Sequence, residues 1–411
     1  MVFGYIPNDK SYYKNIYKLK AGHYLVFDGE NIKIKRYWDL LKEKFNITFN
    51  EAVEEVESLL KDSIKKRLLS DVEVGSFLSG GIDSSLVSAI MSKVSDKQIK
   101  TFTIGFNEKN YNEAEFAKNI ANYIGSNHFE YYFGANDVLK LLENFDKFYD
   151  EPFGDASALP SMLLSKVTSQ NVKVTLSGDG GDELFLGYDR YFFTKNYYNK
   201  LKKFPFKSLL GSIFKILPND KLNKMAYPLQ NLSYQNLYSV VSSALKPWEV
   251  SKMFNQEYLS YLELSEYEED FESIEDFSKF DFYRYLPNDI LYKVDRASMA
   301  YSLEARVPIL DHRIVEFAYS LPENLKLYKG QKSILKEILY KYVPKNLLDR
   351  PKMGFGVPLK EWFRGELKEI LFERIKNLDE SFNKEYILDL FNKHQKGYNY
   401  EYILWNIMRL K

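Results

Sequence analysis

Cysteine is absent from this chain of 411 residues. That excludes disulfides, thiolate-ligated zinc, persulfide chemistry and any cysteine nucleophile. Histidine is scarce as well: His23, His128, His312 and His394 are the four. No two stand four residues apart, so a histidine-built metal centre has no local basis, and structural or surface roles are expected for them. Neither sign of charge is in excess, with 57 Lys plus Arg against 57 Asp plus Glu. No long-range field therefore gathers nucleic acid or an anionic membrane surface. Long apolar runs are missing too. The most apolar patch, Leu209 to Leu217, is broken by Gly211, Ser212 and Lys215. The first residues lack a basic stretch followed by an apolar core, so neither a membrane span nor a signal peptide is expected. Without cysteine or an export signal, the expected compartment is the cytoplasm.

What is present describes a folded chain with a real core, 45% hydrophobic and 28% charged, and long enough for two domains or one large domain with an annex. Residues 22–38 alternate around Asp28-Gly29 and predict a β-hairpin. About twenty residues precede it, too few to bury both faces of a sheet, so residues 1–45 look like the last piece of a further domain. From Asn50 to Leu69, Val53, Val56, Leu60, Ile64 and Leu68 recur at helical spacing, with acids early and basic residues late. Four β-prone runs follow, Val72 to Leu78, Ile99 to Phe106, His128 to Phe133 and Val172 to Leu176, separated by helical segments. Asn112 and Glu115 have capping-box spacing, and Gly125 would end that helix. The alternation predicts an α/β fold with a parallel sheet over residues 46–195. A mostly helical region over 196–411 completes it, punctuated by Pro218, Pro228, Pro247, Pro287, Pro308 and Pro344.

The sharpest chemical signal is Ser79-Gly80-Gly81-Ile82-Asp83-Ser84-Ser85, between the apolar run VGSFL and the helical LVSAIMSKV. A strand, loop and helix in that order present unpaired N–H groups at a helix N-terminus, with glycines for close approach and serine hydroxyls as further donors. Such a loop holds phosphate oxygens. Asp83 would repel them unless a divalent cation intervenes, so magnesium is implied. The Walker spacing is absent, which disfavours a kinase-like γ-phosphate cradle. Residues 172–183, VKVTLSGDGGDE, repeat the device. Two such loops on one parallel sheet can converge at the carboxyl ends of their strands. Asp179, Asp182 and Glu183 are three acids within five residues and repel one another unless a cation is bound.

SGGIDSS resembles the pyrophosphate-binding loop of the ATP pyrophosphatase (PP-loop) family, and SGDGGDE resembles the second signature of its glutamine-type asparagine synthetase branch. The likeness runs from about Tyr5 to Leu367. It implies an α/β nucleotide-binding core of the adenine nucleotide α-hydrolase kind, and the ATP-dependent amidation of L-aspartate through an aspartyl adenylate, with release of AMP and pyrophosphate. It further implies that Ser79, Gly80, Gly81, Asp83, Ser84 and Ser85 hold ATP and pyrophosphate, and that Leu78, Ile104, Ser177 and Gly178 flank the adenosine. Asp83 and Asp182 would hold magnesium. Asp179, where relatives usually carry Glu, would take protons from ammonia. Residues 150–160, DEPFGDASALP, resemble the stretch lining the amino-acid pocket, which assigns Asp155 and Ser157 to it, together with Glu183. In RPKMGFGVP, Lys352 matches a lysine that reaches over the phosphates, a mobile point charge suited to a departing pyrophosphate. Val294 to His312 also resembles the family, and its small and apolar residues with Glu304 and Arg306 suggest core packing around a buried ion pair.

Most of the family's N-terminal glutaminase domain has no counterpart here, so ammonia rather than glutamine is the expected nitrogen source. A separate glutaminase chain and a homodimer remain open as partners, whereas nucleic acid and membrane do not. Two other readings compete: an amide-forming relative, such as a β-lactam synthetase or peptide cyclase acting on another carboxylate, and a non-catalytic binding subunit.

Overall fold

The computed structural model describes residues 2–410 apart from 8, 41–42, 107, 109–111, 204, 217–225, 227–228, 231, 256–270 and 349–355. A two-stranded antiparallel hairpin, β1 (His23–Phe27) and β2 (Ile32–Arg36), stands apart from the main sheet. Its register pairs Leu25 with Ile34 and Phe27 with Ile32 on one face, and Tyr24 with Lys35 and Val26 with Lys33 on the other. Both faces are exposed, as two strands without a covering layer must be.

Helix α1 (Phe49–Arg67) begins on a capping box, in which Thr48 Oγ1 accepts from the Glu51 N–H and Glu51 Oε2 accepts from the Thr48 N–H. It buries the expected stripe of Val53, Val56, Leu60 and Ile64. The main sheet has five strands: β3 (Val74–Phe77), β4 (Lys100–Phe106), β5 (Asn127–Phe133), β6 (Val174–Leu176) and β7 (Glu304–Arg306). Their order is β5-β4-β3-β6-β7 and every pairing is parallel. The protein is therefore α/β, as the sequence predicts. The four predicted runs become β3 to β6, while β7 comes from a stretch expected only to pack. Glu304 is 57% exposed at that edge and its Arg306 partner 21%, so the ion pair is at the surface rather than buried. It is worth correspondingly little.

Helices α2 (Ile82–Val94), α3 (Ala114–Ile124), α4 (Ala135–Phe148) and α5 (Ala158–Thr168) connect the strands. Gly125 ends α3 in the left-handed conformation as expected, but the capping box at Asn112 does not form. Glu113 occupies the cap position, and Asn112 Oδ1 accepts from Ala114 N at 3.0 Å in a local turn instead. Buried apolar side chains gather in two main cores. One joins α1, α2 and α3 to helices His312–Ser320 and Ser333–Leu339; the other joins β4, α4 and α5 to helices between Leu359 and Met408. The described residues beyond 196 are mostly helical, again as expected. Among the described residues no helix is long and apolar enough to cross a membrane.

Candidate functional site

The chain leaves β3 outward through β4 to β5, then returns to place β6 on the other side of β3. A parallel sheet opens a crevice at such a reversal, between the carboxyl ends of the two strands. Both glycine-rich loops emerge there. A cavity of about 1190 Å³ lies over them, lined from the first loop by Leu78, Ser79, Gly81, Asp83 and Ser84 and from the second by Ser177, Gly178, Asp179, Asp182 and Glu183. Ile104 of β4 lines it, as do Asp155 and Ser157. Two predicted members stand back. Gly80 is buried against α3 at φ +76°, where a Cβ would meet the Ala117 nitrogen at 3.0 Å, and Ser85 is fully buried on the inner face of α2. Arg350 to Phe355, Lys352 included, lie outside the described residues.

The first loop is pre-shaped by its own hydroxyls. Ser84 Oγ accepts from the Ser79 N–H at 3.1 Å and pairs with Ser79 Oγ at 2.9 Å, and Ser79 Oγ accepts from the Gly81 N–H at 3.3 Å. Gly81 then caps α2 with no side-chain hydrogen bond to the cap. The second loop lies directly on the first. A Cβ at Gly178 would stand 2.6 Å from the Ser84 nitrogen, so only glycine permits that approach. After it the short helix α6 (Gly181–Leu184) carries Asp182 and Glu183.

Sequence reasoning missed the residue that joins the loops. Lys332, itself left-handed at φ +54°, precedes helix Ser333–Leu339 and sends its ammonium between Asp83 Oδ2 and Asp182 Oδ1, the latter at 2.8 Å. Its side chain is only 7% exposed. Burial alone would lower its pKa, but the two carboxylates hold it above the usual lysine range. The ammonium marks a seat for positive charge between the two predicted magnesium acids. No sequence signal separated this lysine from its neighbours, although a non-glycine residue held left-handed is a structural marker of function.

Nearby stands a second lysine–acid group. Lys293 Nζ donates to Asp155 Oδ2 and to Ser157 Oγ, both at 2.7 Å, and lies 4.0 Å from Asp289 Oδ1. Despite burial, the Lys293 charge draws the Asp155 pKa down to about 2. Asp179 sits between the two groups. Burial raises its pKa, opposed by the Ser177 hydroxyl that donates to it and by Lys293. Glu183, 1% exposed, accepts from the Tyr188 hydroxyl at 2.7 Å, and burial, then the Asp182 charge, pushes it up to about 7. The first residues close one side: Phe3 and Gly4 line the cavity, Gly4 O accepts from Gly154 N at 2.6 Å, and Val2 O accepts from Leu245 N at 3.1 Å.

The asparagine synthase family model matches residues 55–411. The chain belongs to the asparagine synthase family. Among its relatives it is 30% identical to asparagine synthetase [glutamine-hydrolyzing] 1 of Bacillus subtilis over 96% of this chain and 64% of that protein. A putative asparagine synthetase 2 of Methanocaldococcus jannaschii is 36% identical over 72% of this chain and 59% of its own length. One from Mycobacterium tuberculosis is 31% identical over 90% and 58% respectively. The chain thus spans roughly three fifths of these curated asparagine synthase relatives, and both glycine-rich loops and the Asp155 segment fall inside the family match.

Proposed function

We propose that this chain catalyses the ATP-dependent amidation of L-aspartate to L-asparagine, releasing AMP and pyrophosphate, with ammonia as its nitrogen source. The observation that carries the proposal is the convergence of Asp83 and Asp182 around a buried positive charge at the sheet's reversal point, beside the Asp155–Lys293 pocket. Phosphates and an amino acid would then meet in one cavity.

Asp83 and Asp182 bring two carboxylates to one point, as a divalent cation requires, and the Lys332 ammonium would have to yield that seat when one binds. Among the described residues no group of three or more acids or histidines could hold a metal, so phosphate oxygens would complete the ion's shell. Magnesium, when bound, would neutralise charge on the leaving pyrophosphate. The chain's own groups do the rest. Ser79, Gly81 and Ser84, with the α2 N-terminus, cradle phosphate oxygens, and Leu78 and Ile104 supply apolar contact for adenine. Lys352 is assigned to the departing pyrophosphate.

A β-carboxylate oxygen of aspartate bonds to the α-phosphorus as the α–β bridge breaks and pyrophosphate leaves. Ammonia nitrogen next bonds to the acyl carbon, and AMP departs with the carboxylate oxygen. Asp179, a carboxylate made more basic by burial, attracts ammonium and accepts its proton. This chain has no cysteine to form the thioester that glutamine hydrolysis requires. A separate glutaminase chain would supply ammonia under this reading.

Exchange of labelled pyrophosphate into ATP is expected only with both magnesium and L-aspartate, and asparagine only on further addition of ammonium. Release of ADP, or AMP formation without an amino acid, overturns the proposal. Glutamate release from glutamine by this chain alone overturns the nitrogen source.

A further inference from the structure

Residues Leu286–Leu291 form a π-helix, running directly into helix Tyr292–Met299. Wide turns of this kind are rare and cluster at functional sites. This one carries Asp289 to the cavity wall, one turn before Lys293. Asp289 is 4% exposed, and its Oδ1 is buried without a hydrogen-bond partner. A buried carboxylate oxygen left in that state is costly unless a ligand completes it.

The neighbours do not complete it. Lys293 spends its close contacts on Asp155 and Ser157 and leaves Asp289 Oδ1 at 4.0 Å. The Asp155 carboxyl shares a hydrogen bond with the Asp289 carboxyl but leaves Oδ1 unpartnered, and burial first, then the Asp155 charge, raises the Asp289 pKa well above the carboxylate range. Asp179 lines the same cavity. Three carboxyl groups thus share one lysine, with an unsatisfied oxygen at their edge and a buried acid that only a second cation would let ionise. A compact primary ammonium complements it, having three N–H donors to share among the acids.

We infer that Asp289 is the specificity residue that binds the α-ammonium group of the amino-acid substrate, holding it so that the side-chain carboxylate points at the phosphate loops. The inference rests on the proposed reaction and deepens it. It makes this end of the cavity select α-amino dicarboxylates against simple dicarboxylates. Sites built around a polar group of the substrate reject analogues that lack it, because their own groups are then left unpaired.

The test is pyrophosphate exchange with L-aspartate and with succinate, which lacks only the amino group. The parent protein should prefer L-aspartate by a factor on the order of 10² or more in kcat/KM. Asp289→Asn should raise the KM for L-aspartate by most of that factor, leave the KM for ATP unchanged and leave succinate where it was, so that discrimination collapses. Undiminished discrimination in Asp289→Asn overturns the inference while leaving the proposed reaction standing. Absence of any aspartate-dependent exchange in the parent overturns both. If the variant does not fold, protection of the parent against thermal unfolding decides. β-Alanine, which keeps the amino group, should protect and succinate should not; equal protection by succinate and L-aspartate overturns the inference.

Discussion

Two lysine–diacid groups share the cavity, and they are finished to different degrees. Lys332 bridges Asp83 and Asp182 with both carboxylates in direct contact, whereas Lys293 contacts Asp155 and stands 4.0 Å from Asp289. The first is a closed ion triad that ties the loop after β3 to the loop after β6. The second is an open one, with an acceptor left over. The same two residue types, one lysine with two aspartates, therefore serve two ends: the closed triad holds the loops together, and the open one leaves an acceptor for a ligand's ammonium.

The strongest way to break this comparison is to delete each ammonium in turn. Lys332→Met leaves two carboxylates facing one another with no counter-charge and should cost about 3–5 kcal/mol of stability, measured by denaturant unfolding. Lys293→Met should cost less, about 2 kcal/mol, because it strips the counter-charge from Asp155 while protonation of Asp289 relieves part of the repulsion; its main effect should be on the KM for L-aspartate. Equal losses of stability would show that the two groups are energetically alike.

Asp179 lies between the triads and should separate the half-reactions. Asp179→Asn keeps the shape and removes the charge. It should retain aspartate-dependent pyrophosphate exchange while making asparagine slower by a factor on the order of 10². Lys352→Ala should depress both steps. Asparagine formed at the parental rate by Asp179→Asn would move the proton acceptor to another group in the cavity.

The smallest effect is on acid stability. Lys293 holds Asp155 at about 2 in the folded chain, below the ordinary 3.8. A carboxyl depressed on folding contributes stability that is fully present above the unfolded value and lost as pH falls through the folded one. Unfolding free energy should therefore decline between about pH 4 and pH 2, and Asp155→Asn should flatten part of that decline.

What the sequence made legible was whatever local order encodes. Both glycine-rich loops, the α1 stripe, four strands and the parallel sheet followed from spacing within a dozen residues. What escaped was long-range. Lys332 reaches Asp83 across 249 positions and sits in an ordinary run of helix formers. Strand β7 is three residues long, and its neighbour β6 decides its pairing. The pattern of small and apolar residues after Val294 did suggest structure, but the lysine–acid group stands just before it, at Asp289 and Lys293, where a π-turn shifts the helical phase on which periodicity depends. Asn112 and Glu115 had the right spacing for a capping box, and a local turn to Ala114 won instead.

Phe3 and Gly4 line the cavity next to Gly154, one residue from Asp155, and this has a consequence for fidelity. Water can attack an acyl adenylate as ammonia does, more slowly but at far higher concentration. Removing the first five residues would take away that wall without touching a single acid or lysine. Under the proposed reaction, such a trimmed chain would still spend ATP on aspartate but return much of it as aspartate and AMP, a leak visible as AMP formed in excess of asparagine.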